Sequence, residues 1–359
     1  METKKFIDVL EIYNGKNQKA VENPDGKYPI YGSGGVMGRA DEYICPAETV
    51  VIGRKGSINN PIFVTEPFWN VDTAFGLVAR KEVVLPKYLF YFCRYFDFEK
   101  LNTTVTIPSL TKANLLKIEM PVPSIIEQNN IVTKLNLLTN MIQQCQEQLT
   151  KLDELVKARF VEMFGTYPDN PFGWNTGKIQ DVVSDVRYGS SRPAVEGGKY
   201  PYLRMNNITY AGELDLTDTK RIDVPDNELD KCTVRRGDVL FNRTNSKELV
   251  GKTCVYNRDD MMVLAGFVIR VRVNERILPE FLVAFLNTDF SKQMLLGMCK
   301  TAIGQANINA KEMQNIGLYI PPIALQEQFV DLKNQIDKSK LLATLFAQSA
   351  CILAENRSK

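Results

Sequence analysis

Two short polar runs hold the groups best suited to binding chemistry in this 359-residue chain: Arg54-Lys55-Gly56-Ser57 and Arg243-Thr244-Asn245-Ser246-Lys247. Each follows an apolar, strand-like run, Thr49-Val50-Val51-Ile52-Gly53 in one case and Val239-Leu240-Phe241-Asn242 in the other. Guanidinium, ammonium, amide and hydroxyl groups gathered at a strand end suit phosphate oxygens and base edges, Arg being the usual partner of guanine and Asn or Gln of adenine. One such cluster is an ordinary solvated turn. Its recurrence after a matched strand points to nucleic acid. A second rank of candidates comprises Arg204, Asn206 and Asn207, then Gln305 and Asn307, then Ser109 and Lys112, where capping and turn stabilisation compete with binding. Tyr31, Ser33 and Gly34 lead into a glycine-rich run whose backbone can approach a phosphate or a groove, and Lys252 completes the set.

The chemistry missing from the chain is as informative. Histidine is absent, which removes His general acid-base catalysis, Ser-His-Asp nucleophile activation and His-ligated metals. Seven scattered cysteines with no Cys-x-x-Cys pair read as buried thiols rather than disulfides or a zinc site. The run Gly32 to Gly38 has Met37 where a dinucleotide fingerprint needs glycine, and no helix follows. Gly251-Lys252-Thr253 lacks the first glycine of a phosphate-binding loop, and Asn170-Pro171-Phe172 lacks the second proline of an adenine-methyltransferase loop. The carboxylates form no nuclease core, and Asp238 reads as a turn residue. No cofactor and no metal is expected, and the residues argue for a binder. Trp69 and Trp174 read as core or interface residues.

The elements that must position these groups follow from periodicity. Ile131, Leu135, Leu138, Ile142, Cys145, Leu149, Leu152 and Val156 alternate steps of four and three, a heptad seam that asks for a partner helix. Leu332, Ile336, Ser339, Ala343, Phe346, Ala350 and Leu353 repeat that spacing near the C-terminus. Both helices open alike, Pro121-Val122-Pro123 leading to Glu127-Gln128 and Pro321-Pro322-Ile323 to Glu327-Gln328. Short apolar runs broken by Gly, Asn and Pro fill the stretch before each helix. A helix is expected over Lys87 to Leu101, a polar turn over Thr103 to Leu110, and a last strand ending at Met120. The second half retraces the first: Ala265 to Ile269 echoes Thr73 to Leu77, and Leu278-Pro279 echoes Leu85-Pro86. The expected division is 1–120, a helix over 121–164, 165–320, and a helix over 321–359.

At 44% apolar residues and net charge +2 the chain is long enough for two cores, has no run of membrane-spanning length, and begins without the features of a signal peptide. No membrane contact and a cytoplasmic location are expected. The fold class is α+β, two mixed, strand-rich globular domains separated by two long helices that pair as a coiled coil in a pseudo-two-fold repeat. A stiff helical pair then sets the distance between two reading modules, which multiplies specificity.

The ordered set of marks resembles the specificity subunits of type I DNA restriction-modification systems over essentially the full length. The marks are Tyr28-Pro29-Ile30-Tyr31-Gly32-Ser33-Gly34-Gly35, the Pro-x-Pro-x-x-x-Glu-Gln opening at Pro121, its looser copy at Pro321, and Gly237 to Arg243 with Ala265-Gly266-Phe267. The resemblance implies two target-recognition domains, each reading half of a split sequence in double-stranded DNA. It further implies antiparallel helices that dock methyltransferase subunits, two by expectation, and through them restriction subunits, with the catalytic chemistry in those partners. The competing reading is a coiled-coil scaffold or adaptor that never touches DNA; an enzyme ranks third for want of motifs.

Overall fold

In the computed structural model the described residues are 2–101, 109–302 and 305–358, with side chains described for all of these except 300–302, 305 and 354–358. Most of the polar turn expected over Thr103 to Leu110 therefore lies outside the described residues. The chain divides into two compact units, Met1–Glu147 with Thr344–Lys359, and Gln148–Ala343.

The first unit is built on an antiparallel sheet in the order Leu10–Asn14, Ala74–Ala79, Thr49–Gly53, Ile62–Val64. Every residue of Thr49–Gly53 is buried, because alternate side chains serve two cores. Val50 and Ile52 join Phe6, Leu77 and Leu89 on one face, and Val51 joins Cys45 and Phe68 on the other. A second sheet sets Tyr28–Gly32 between Gly35–Ala40, antiparallel to it, and Trp69–Asn70, parallel to it. The glycine-rich run is thus a β-hairpin, with Ser33 and Gly34 at its turn. The helix expected from Lys87 runs over Pro86–Tyr95, with proline in its first turn, and a separate 3-10 turn covers Phe98–Leu101.

The second unit repeats the plan with the sheet Val183–Tyr188, Val268–Val273, Val239–Asn242, Thr253–Val255. Ile269, Val271 and Phe241 face a core with Phe281 and Phe285 from the helix Pro279–Leu286. The opposite face carries Leu240, Cys254 and Val268. A small sheet joins Thr244–Asn245 to Gln305–Asn307 and Lys300–Ala302.

The two long helices span Ile125–Phe164 and Ile323–Ser358. The first is started by a capping box: the Glu127 carboxylate accepts from the Ser124 amide at 3.0 Å, and the Ser124 hydroxyl oxygen from the Glu127 amide at 3.3 Å. The division between units falls inside both helices, not at the ends predicted from proline and glycine. The reason is packing. Val132 and Leu135 are sealed in the core of the first unit, and Phe160 and Phe164 in that of the second, so the helices are parts of the cores they serve. Within the second unit Phe160 meets Phe329 at 5.3 Å between ring centres, and Asp153 meets Lys340 at 2.7 Å. The two segments therefore run antiparallel.

Ile336 is buried, and Ile131, Leu138, Ile142, Leu149, Leu152 and Leu332 are half-buried. Phe346 and Leu353 depart from the expected seam, at 51% and 50% exposed. Lys340, held by Asp153 and by Glu213 at 2.6 Å, takes the inward position in place of Ser339. The inward line continues through Ala343, Ala347 and Ala350. Ile336, Ala343 and Ala350 keep their expected inward places, while Lys340 and Ala347 stand inward one residue, about 100° of helix, beyond Ser339 and Phe346.

Candidate nucleic-acid interface

Arg243 stands immediately after the strand Val239–Asn242, and its main chain is fixed on both sides. Its amide donates to the Phe267 carbonyl at 3.0 Å, and its carbonyl accepts from the Ile308 amide at 2.9 Å. The guanidinium lies 4.9 Å from the centre of the Tyr188 ring and donates through Nη2 to the Asn307 amide oxygen at 3.2 Å. Nε is buried without a partner. Thr244 pairs with Asn307 and Asn245 with Ala306 across the small sheet. The Asn245 side-chain oxygen accepts from the Ser246 amide at 2.9 Å. The structure thus gathers Arg243, Thr244, Asn245, Ser246 and Asn307 in one place. The Gln305 side chain lies outside the described side chains.

Arg54 has the same frame in the first unit: its amide donates to the Thr73 carbonyl at 2.8 Å, and its carbonyl accepts from the Leu110 amide at 2.9 Å. Its guanidinium is 5.7 Å from the Phe75 ring centre, and Lys55 bridges Ser109 as a strand-like pair. Gly53 allows the turn to close, since a Cβ there would meet the Ser57 carbonyl oxygen at 2.4 Å and the Ser33 Cβ at 3.1 Å. The hairpin turn with Ser33 and Gly34 therefore lies against the Arg54 to Ser57 cluster, whose side chains are exposed. Tyr31 turns inward, its ring edge-on to Phe68 at 5.3 Å.

These paired bonds correct the repeat register. Thr73 corresponds to Phe267, two residues beyond the Ala265 suggested by matching letters. Likewise the glutamine equivalent to Gln128 is Gln326, not Gln328. Both are fully buried, and their side-chain amides donate to Pro123 and Pro321 carbonyls, each at 2.9 Å.

Several expected contact residues are committed to the fold. Arg204 donates to the Asp218 carboxylate at 2.9 Å and to its carbonyl at 3.0 Å. Asn207 is buried, and its amide nitrogen donates to the Asp215 carbonyl at 2.8 Å. Lys252 is buried with Nζ on the Met205 carbonyl at 3.0 Å, and burial lowers its pKa. Lys112 reaches the Ile12 carbonyl at 2.8 Å. Asn206 alone of its run is exposed. Asp238, read as a turn residue, is buried and accepts from the Arg235 amide at 2.9 Å and from Arg272 at 2.8 Å. Trp69 is buried and Trp174 half-buried, each indole donating to a carbonyl, of Lys16 and Phe164 respectively. The sequence reading overlooked Tyr188 as a member of the cluster; only the strand register brings it under Arg243.

Among the described residues no group of His, Cys, Asp and Glu is placed to hold a metal ion, and no helix is long and apolar enough to cross a membrane.

Comparison with known proteins gives one family. The model for the type I restriction modification DNA specificity domain matches residues 1–153 and 171–345. The type I restriction enzyme EcoKI specificity subunit of Escherichia coli K12 is 21% identical over 322 residues, covering 83% of this chain and 69% of that protein. The type I restriction-modification S subunit from M. genitalium shares the fold at TM-score 0.57 and 14% identity, over 100% of this chain and 95% of that one. A chain from a structure of type I R-M complex assembly and conformational transition does so at TM-score 0.60 and 17% identity, over 99% and 96%. With that model matched in both units, the chain belongs to the type I restriction modification DNA specificity domain family.

Proposed function

We propose that this chain is the DNA-reading, non-catalytic subunit of a cytoplasmic type I restriction-modification complex. Each unit reads one half of a bipartite target in double-stranded DNA, and the long helices set the spacing and dock methyltransferase subunits, through which restriction subunits join. The observation that supports this reading is the duplicated frame: one set of main-chain bonds holds Arg54 between Thr73 and Leu110 with Lys55 beside Ser109, and its copy holds Arg243 between Phe267 and Ile308 with Thr244 beside Asn307. Equal frames with unequal side chains suit two half-sites of different sequence. Methyl transfer and ATP chemistry belong to the partners.

The test is a chimaera. The segment equivalent to 165–320 is replaced by that of another family member, and the methyltransferase-bound complex is assayed on target variants. One half-site changes while the other and the spacing persist; a change in both halves, or in neither, refutes the division of labour.

A further inference from the structure

The second unit contains a cavity of about 380 Å³ remote from the Arg243 cluster in sequence, lined by both long helices, the helix Pro279–Leu286 and the loop carrying Tyr210 and Glu213. That volume falls in the range of small-molecule sites. Its floor is apolar, formed by Val156, Phe160, Val283 and Ala284. Four lysines stand in its wall, and three have carboxylates. Lys157 meets Asp289 at 3.6 Å, Lys333 meets Asp337, and Lys340 meets Asp153 and Glu213 at 2.7 and 2.6 Å.

Lys292 has no carboxylate partner among the described residues. Its Nζ donates to the Gly251 carbonyl at 3.1 Å and lies 5.4 Å from the Tyr210 ring centre. Lys157 and Lys252 act against its charge, and the carboxylates of the wall, Asp153, Glu213, Asp289 and Asp337, are ion-paired with the other three lysines. A largely buried ammonium outside any ion pair is costly, and an anion is the group that relieves it.

We propose that this cavity binds a small organic acid, its carboxylate paired with Lys292 and its apolar body on Phe160, Val283 and Ala284. With the four carboxylates of the wall paired to the other three lysines, Lys292 is left to offer one ammonium to a monoanion, and the apolar floor selects against inorganic phosphate. Such a ligand touches both long helices at once and ties them to the helix Pro279–Leu286.

The experiment titrates the purified full chain with phenylacetate and with phenylacetamide, which has the same shape without the charge, by calorimetry and thermal denaturation. Phenylacetate binds saturably and the amide at least about tenfold more weakly. Lys292→Met removes the preference, whereas Lys333→Met, whose amine already has a carboxylate, keeps affinity within about twofold. If Lys292→Met does not fold, Ala284→Leu fills the floor and abolishes binding with the lysine intact. Equal affinity for acid and amide, undiminished binding by either cavity variant, or no binding of either probe overturns the proposal. The last result is the one given by a site that accepts only an acidic side chain of a partner.

Discussion

Gln326 accepts the backbone amide of Leu278 through Oε1 at 2.9 Å while its Nε2 donates to the Pro321 carbonyl at 2.9 Å and the Arg276 carbonyl at 3.2 Å. Gln128 does the same in the first unit, with Leu85 at 2.8 Å and Pro123 and Val83 both at 2.9 Å. Each glutamine locks the start of a long helix to the chain just before a proline-led helix. Gln326→Met leaves three main-chain groups without this partner, the Pro321 carbonyl buried and the Leu278 amide and Arg276 carbonyl partly so, and an unpaired buried group costs about 1–3 kcal/mol. A loss of about 1–3 kcal/mol is expected, read from urea unfolding together with faster hydrogen exchange at the Leu278 amide. An unchanged midpoint would mean that water replaces the side chain.

Arg243→Ala is expected to weaken recognition by about 1–3 kcal/mol at a single position of one half-site if the guanidinium reads a base. If it holds a phosphate, all sequences weaken alike and the salt dependence flattens. Arg54→Ala acts on the other half-site only. Binding of the assembled complex to single-base variants at several salt concentrations separates these outcomes, and indifference to both substitutions removes the two clusters from the interface.

Lys292 carries a pH signature. Burial first, and then repulsion from Lys157 and Lys252, bring its pKa from the usual 10.5 to about 8. Between these values the unfolded chain binds more protons than the folded one, so this group makes folding stronger as pH rises. The cost is full below about 8 and gone above 10.5. Lys292→Met should therefore exceed the wild type in stability at pH 7 by about 1–3 kcal/mol. The gap closes towards pH 10, and a gap constant across urea melts at pH 7, 8.5 and 10 sinks the idea.

The long helices offer a contrast between buried and outward apolar residues. Leu135 is 1% exposed, so Leu135→Asp places an unpaired charge in the core and should cost about 3–5 kcal/mol. Phe346→Ser, at a half-exposed site, should stay within about 0.5 kcal/mol. On the proposed role of the helices, Phe346→Ser still weakens co-purification with methyltransferase subunits. Full retention of the partners would move the docking surface elsewhere.

Periodicity made the helices, the strand before Arg243 and the repeat itself legible. Register was harder. In a strand, a slip of two residues keeps every side chain on its face, so hydrophobic alternation cannot distinguish Thr73 matched to Ala265 from Thr73 matched to Phe267. Near the second helix, two glutamines two residues apart offer the same letter, and only burial distinguishes Gln326 from Gln328. Arg204, Asn207 and Lys252 looked like contact residues because their partners, Asp218, Asp215 and Met205, are named by the fold and not by local sequence. Phe346 and Leu353 were misplaced because the inward line steps from Ile336 to Lys340 and from Ala343 to Ala347, so that a lysine and an alanine fill places where the heptad spacing favoured the apolar residue beside them.

The frame around Arg54 and Arg243 is held by amides and carbonyls of the main chain, and such bonds are indifferent to the residue that displays them, proline aside. New side chains can therefore be tried at these positions without first rebuilding the loop. On the proposed reading, most substitutions there alter which DNA is chosen while leaving folding intact. Selection for novel recognition, as when foreign DNA changes faster than a host, then acts on a handful of displayed groups.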